Sequence, residues 1–223
     1  MKIHTLNNSF KFLGVLSALS LLAASCDEHE RIDNDIHVGY ILCSDGQVVS
    51  PDYCEQSGKE AVAVVFHVFS PDENSGDGLA VSLKEQHPQA FSDTLGVSQG
   101  TSASTEKLDG NANTFSLYSN RNAGSPMAET AFSAWRYGQS AYVPSVAEMR
   151  LLFSSRSFVN TLIERFGGDR ISSEPDNCWY WTSTEVSGQT TVKAWLYSLG
   201  TGTMQETPKT ETYPVRLIVT INK

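Results

Sequence analysis

Residues 143–153 read Val-Pro-Ser-Val-Ala-Glu-Met-Arg-Leu-Leu-Phe. Ser145 is placed to accept the backbone N–H of Glu148, and the Glu148 carboxylate to reach back to the Ser145 N–H, which is a capping box. Behind it Val146, Met149, Leu152 and Phe153 recur at helical spacing and form one apolar stripe. A second helix is expected over 158–166, with apolar residues at 158, 159, 162, 163 and 166 and Gly167 as its C-terminal cap. Upstream, Ser125 as N-cap and Pro126 at the first helical position open a helix through Met127, Ala131 and Phe132 to Trp135. A helix also fits part of 108–118, whereas residues 98–114, rich in Ser, Thr, Asn and Gly, carry no clear pattern.

Strand signals lie on both sides of this helical middle. Residues 37–43 (HVGYILC) suit a strand, Asp45-Gly46 is a turn signal, and 47–50 can return as a hairpin. Residues 61–69 (AVAVVFHVF) are continuous, β-branched and aromatic, the pattern of a strand buried on both faces. Residues 70–78 (SPDENSGDG) read as a loop, and 79–83 resume as a strand. In the last third, 179–185 (WYWTSTE), 192–199 (VKAWLYSL) and 213–221 (YPVRLIVTI) are strand-like. Strands, then helices, then strands predict an α+β fold with a mostly antiparallel sheet and two or three helices.

The first residues read as an address. Lys2 and Lys11 precede an uncharged apolar run, 12–22, then Ala23, Ala24, Ser25 and Cys26. That is the layout of a secretory signal. The run is shorter than the about 20 apolar residues that span a bilayer. Small residues before a Cys resemble a bacterial lipobox, with Ala23 where many have Leu. The resemblance implies acyl chains on Cys26, cleavage before it, and anchoring by more than one chain. Asp27-Glu28-His29-Glu30 resembles the acidic export signal of lipoproteins in Bacteroides-like bacteria, which implies the outer membrane and display at the cell surface. The expected organisation is a signal peptide over 1–25, an acidic tether over 26–36 and a single domain over 37–223.

Without residues 1–25 the chain holds 14 Lys and Arg against 25 Asp and Glu. Such a surface repels nucleic acid and anionic lipid. Cys43 and Cys54 can bridge a short loop and leave Cys178 over; alternatively Cys178 is paired and one of the others is free. No CxxC spacing or His-Cys cluster suggests a metal, and no cofactor motif is present.

Four further motifs resemble one bacterial family in the same order. They are the helix start at 143–149, Tyr180-Trp181-Thr182-Ser183-Thr184-Glu185, Ala194-Trp195 followed by Gly200 or Gly202, and more loosely Pro214-Val215-Arg216, where the family's following Pro is absent. The family is that of the Legionella collagen-like protein C-terminal domain. The match runs over about 138–221, with a looser echo in 38–69. It implies a C-type-lectin-like fold and supplies little chemistry.

Glu174-Pro175-Asp176 is similar to the triplet of calcium-dependent lectins, yet it precedes the WYWTSTE strand and lacks the Trp-Asn-Asp that should follow, so it reads as an acidic turn. The 72–77 carboxylates lack the Glu that completes an EF-hand loop. A formylglycine-generating enzyme needs two late cysteines, and only Cys178 is there. No His follows His87, and His67 lies inside an apolar run, so no hydrolase set forms. Trp179, Trp181, Trp195 and Tyr197 are the candidate ligand-binding residues; core packing is the competing role for at least half of the aromatics in this third. The expected function is a non-enzymatic binding module for a glycan or protein, with a component of a surface appendage as the alternative.

Overall fold

The computed structural model describes residues 35–69, 78–134 and 141–222, all within one compact unit, Asn34–Lys223. Cys26, the tether before Asp35, the 72–77 carboxylates and Trp135 lie outside the described residues. The elements in order are β1 (Ile41–Cys43), β2 (Val48–Val49), α1 (Pro51–Gln56), β3 (Ala61–Val68), β4 (Gly78–Ser82), β5 (Gln86–Ala90), α2 (Gly110–Ser119), α3 (Pro126–Ser133), α4 (Val146–Arg165), β6 (Trp179–Glu185), β7 (Lys193–Ser198), β8 (Met204–Pro208), β9 (Thr212–Val215) and β10 (Ile218–Ile221). The fold is α+β with antiparallel pairing throughout.

A five-stranded sheet ordered β10-β4-β3-β1-β2 forms the base. The apolar run at 61–69 becomes its central strand, β3, which has neighbours on both edges. Alternation sends Val64 and Phe66 into one core with Met149, Leu152, Val159 and Ile163 of α4, and Ala63 and Val65 into a second core with Leu117, Met127, Ala131 and Trp181. Burying both faces removes the polar positions a half-exposed strand would need, which is why the sequence there is unbroken in apolar residues. Two small sheets complete the molecule, β5-β9 and β6-β7-β8.

The capping box forms as expected: the Glu148 N–H donates to Ser145 Oγ at 3.3 Å and the Ser145 N–H to Glu148 Oε2 at 2.7 Å. The helix it opens corrects the sequence reading, because α4 runs unbroken for 20 residues where two helices were expected. The polar stretch Ser154-Ser155-Arg156-Ser157 lies between the two expected segments, and tertiary partners take up its polar groups. Ser155 Oγ donates to the Phe66 carbonyl at 3.0 Å, and the Arg156 guanidinium donates to the Leu199 and Gly200 carbonyls. Gly167, at φ +66°, ends the helix, and the Gly168 N–H returns to Ile163 O at 2.8 Å. The described residues hold four helices against the two or three expected; α2 falls where a helix fitted part of 108–118, and α1, six residues long, is the addition.

Two further corrections concern local detail. Ser125 does not cap α3 through its side chain; its hydroxyl donates to the Phe91 carbonyl at 2.7 Å and ties the helix start to β5. The expected strand over 213–221 splits into β9 and β10 at Arg216. This side chain turns inward, fully buried, and donates to the carbonyls of Ser82, Leu83 and Asp169 at 3.2, 3.3 and 2.5 Å. One guanidinium thus donates to three carbonyls, and that of Leu83 also accepts the Asp169 N–H at 2.8 Å. No helix among the described residues is long and apolar enough to cross a membrane.

Candidate ligand-binding surface

The β6-β7-β8 sheet divides the four aromatic candidates between its faces. Tyr180 lies opposite Tyr197, and Trp181 opposite Leu196. Trp181 is fully buried; its indole N–H donates to the Gln89 carbonyl at 2.9 Å, and its ring meets Phe91 and Tyr213 edge-on at 5.6 and 5.7 Å. Trp179 is half-buried against the same core. On the other face Tyr197 is buried, 6.4 Å from the Phe153 ring, and burial raises its phenol above the usual value. Trp195 is half-buried at the margin of that core, as Met204 is. The structure therefore does not gather the four into one exposed cluster: Trp179 and Trp195 are both half-buried, on opposite faces of the sheet, and Trp195 is the one on the α4 side.

Around Trp195 the register assembles polar groups. Its cross-strand partner is Glu206, which therefore stands on the same face. Glu206 receives the Lys193 ammonium and the Gln189 carboxamide, both at 3.0 Å, and these bonds hold its carboxyl below the usual range. Arg150 of α4 reaches the Met204 sulfur at 3.9 Å and donates to Thr105 O and Glu106 Oε1, both at 2.9 Å. The half-buried indole thus shares its face with a carboxylate and an ammonium, with a carboxamide bonded to that carboxylate and a guanidinium against the neighbouring Met204. The ring offers an apolar platform, and the border offers donors and acceptors in fixed directions. Sequence reading missed this border. Its signal was the alternation Lys193-Ala194-Trp195, which puts Lys193 beside the indole; Arg150 and Glu106 carried none, since only tertiary folding brings them there.

The loop beside this surface, 91–109, is irregular but anchored. Glu185, at the end of the WYWTSTE strand, is fully buried; its carboxylate accepts the N–H of Gln99 at 2.8 Å, the N–H of Thr101 at 3.2 Å and the Thr101 hydroxyl at 3.0 Å. Its counter-charge is Lys209, also fully buried, which pairs with it, donates to Val97 O at 3.1 Å and lies over the Phe91 ring at 5.3 Å. Burial pulls the Lys209 ammonium below the ordinary lysine value against the pull of Glu185. Ser102 N–H to Asn113 Oδ1 at 3.0 Å and Ser145 Oγ to Lys107 O at 2.9 Å complete the anchoring. Before Glu185 on the same strand, the Thr182 hydroxyl donates to Trp195 O at 2.8 Å, the Ser183 N–H to Pro144 O at 2.8 Å, and Thr184 Oγ1 accepts the Val146 N–H at 3.2 Å.

Glu148 is the other buried carboxyl. Burial pushes it up to about 7 against the opposing bonds from Ser145, and the Tyr142 hydroxyl sits 3.4 Å from its Oε1. Neither Glu148 nor Glu185 lines the cavity of about 560 Å³ that Val62, Ala63, Leu217, Phe166, Lys84 and Glu60 help to wall. Glu174 and Asp176 are exposed in a turn, and no cis peptide bond occurs among the described residues. His67 meets Phe69 edge-on at 4.8 Å. Among the described residues no three His, Cys, Asp or Glu side chains come together in a way that could hold a metal ion. A second exposed aromatic group, unforeseen in the sequence, lies on α2 and α3: Phe115 (60% exposed) and Tyr118 (50%) flank Phe132, with Tyr118 stacked on it at 4.0 Å.

No protein-family model matches the chain, and no curated protein matches it either.

Proposed function

We propose that this chain is a lipid-anchored surface protein of a bacterium, with a C-type-lectin-like body, that binds a glycan or a protein without transforming it. The observation that carries this reading is Trp195: a half-buried indole on β7, with Lys193 and Glu206 on its face, Gln189 bonded to Glu206 and Arg150 against Met204. A pyranose ring has an apolar face that stacks on an indole and hydroxyls that pair with such a border; a protein side chain can use the same ledge. The buried charged groups favour binding over catalysis, because they serve the scaffold. Glu148 closes a helix cap, Glu185 and Lys209 fasten a loop, and Arg216 satisfies three carbonyls.

The strand edges favour a binding module over a subunit of an appendage, which would use a long bare edge. On β8 the bonds to β7 run through alternate residues (Ser198 N–H to Thr203 O, Lys209 N–H to Val192 O). The outer edge therefore presents the N–H groups of Met204 and Glu206 and then Pro208, which has none. β5 carries Pro88, and β2 is two residues long. The lipid reading rests on Cys26 and the residues before it, and the family reading on motif order.

The test is a glycan array and a pull-down from host extracellular material, both with the detergent-solubilised full chain. Binding to a defined glycan or protein is expected. No binding in either screen would overturn the reading.

A further inference from the structure

Beyond Cys26 the chain holds three cysteines, and the fold decides which two belong together. Cys43 ends β1, Cys54 lies in α1 eleven residues on, and their Sγ atoms stand 3.7 Å apart, both fully buried. Each is held by its own element. β1 pairs with β2 and β3, and Ser50 caps α1 by accepting the Tyr53 N–H at 3.3 Å. Cys178 sits elsewhere, its Sγ 3.2 Å from Ser198 Oγ and 3.5 Å from the Pro175 carbonyl. It packs so closely on Gly200 that a Cβ there would meet Cys178 Sγ at 2.8 Å.

We infer that Cys43 and Cys54 close to a disulfide that staples α1 to β1 of the five-stranded sheet, while Cys178 remains a thiol. The chemistry is exchange with a disulfide donor of the oxidising compartment or of a glutathione buffer. One cysteine thiolate attacks the donor and releases a thiol, and the second displaces the mixed disulfide and releases another. Two thiol protons and two electrons leave the protein, and the donor disulfide is reduced to two thiols. Timing follows from burial. In the folded thiol form the Cys43 sulfhydryl is pushed up to about 12, first by burial and then by its hydrogen bond with Cys54. Attack from the finished core is therefore slow, and the bond forms while the hairpin and α1 are assembling.

The inference does not depend on any ligand, and an in vitro test separates it from the proposed address. The full chain is refolded in a reduced and oxidised glutathione buffer, free thiols are alkylated, and the digest is weighed. The expected result is a Cys43 peptide joined to a Cys54 peptide, lighter by two hydrogens, with Cys178 alkylated. Tm should fall by about 5–10 °C on adding reductant, from the loop-closure effect of a bridge this short. Cys54→Ser should abolish that sensitivity to reductant, and Cys178→Ser should preserve it. Recovery of Cys43 and Cys54 both alkylated, or either joined to Cys26 or Cys178, would overturn the assignment.

Discussion

Glu148 makes the stability of this protein depend on pH in an unusual direction. Its carboxyl is buried in the capping box and pushed up from 4.5 to about 7. A folded-state value above the unfolded one means the protonated form fits the fold better. The stabilising contribution is therefore full below about pH 4.5 and is lost as pH rises through 7. A shift of this size corresponds to about 3 kcal/mol, at about 1.4 kcal/mol per unit, and so to a fall in Tm of about 6–12 °C for a domain of this size. Glu148→Gln isolates the effect, since a glutamine at this position of a capping box still accepts the Ser145 N–H and cannot ionise. The assay is thermal unfolding of wild type and variant at intervals from pH 4 to 8.5. The histidines and the exposed carboxylates are common to both proteins, so they cancel in the difference. The wild type should lose stability relative to the variant between pH 4.5 and 7. Parallel curves across that window would refute the reasoning.

The other scaffold predictions are simpler. Lys209→Met leaves the Glu185 carboxylate buried without its counter-charge, and should cost about 3–5 kcal/mol in urea unfolding; adding Glu185→Leu should recover part of that loss. Gly110→Ala places a Cβ 2.2 Å from Glu148 Oε2 and 2.7 Å from the Ser145 N, so it should lower Tm by more than the small change expected of an unconstrained glycine. Leu152→Ala empties a fully buried position of α4 and should cost about 2–5 kcal/mol by the same urea assay.

What could be read in the sequence follows where each element gets its stability. β3 was legible because burial on both faces writes itself into an unbroken apolar run, and the capping box because its partners are three residues apart. The middle of α4 was not legible: Ser155 and Arg156 are supported by Phe66 and Leu199, far away in the chain. Nor were β5 (Gln86–Ala90) and β8, polar segments whose strand character comes from the neighbours that pair with them. The break between β9 and β10 depends on carbonyls of Ser82, Leu83 and Asp169, which no local pattern announces. The aromatic candidates show the same division. Alternation along a strand puts Trp179 and Trp181 on one face, but no local pattern tells that Trp181 is sealed by Phe91 and Tyr213 while Trp195 stays half-buried.

Trp195 is therefore where the functional account is most exposed to measurement. Against whichever glycan or protein the screens return, binding by the full chain should be titrated for wild type, Trp195→Ala and Phe115→Ala. Trp195→Ala should lose at least tenfold in affinity, the about 1.4 kcal/mol or more that an anchoring aromatic supplies, with Phe115→Ala unchanged. Full affinity in Trp195→Ala, or a loss confined to Phe115→Ala, would contradict it.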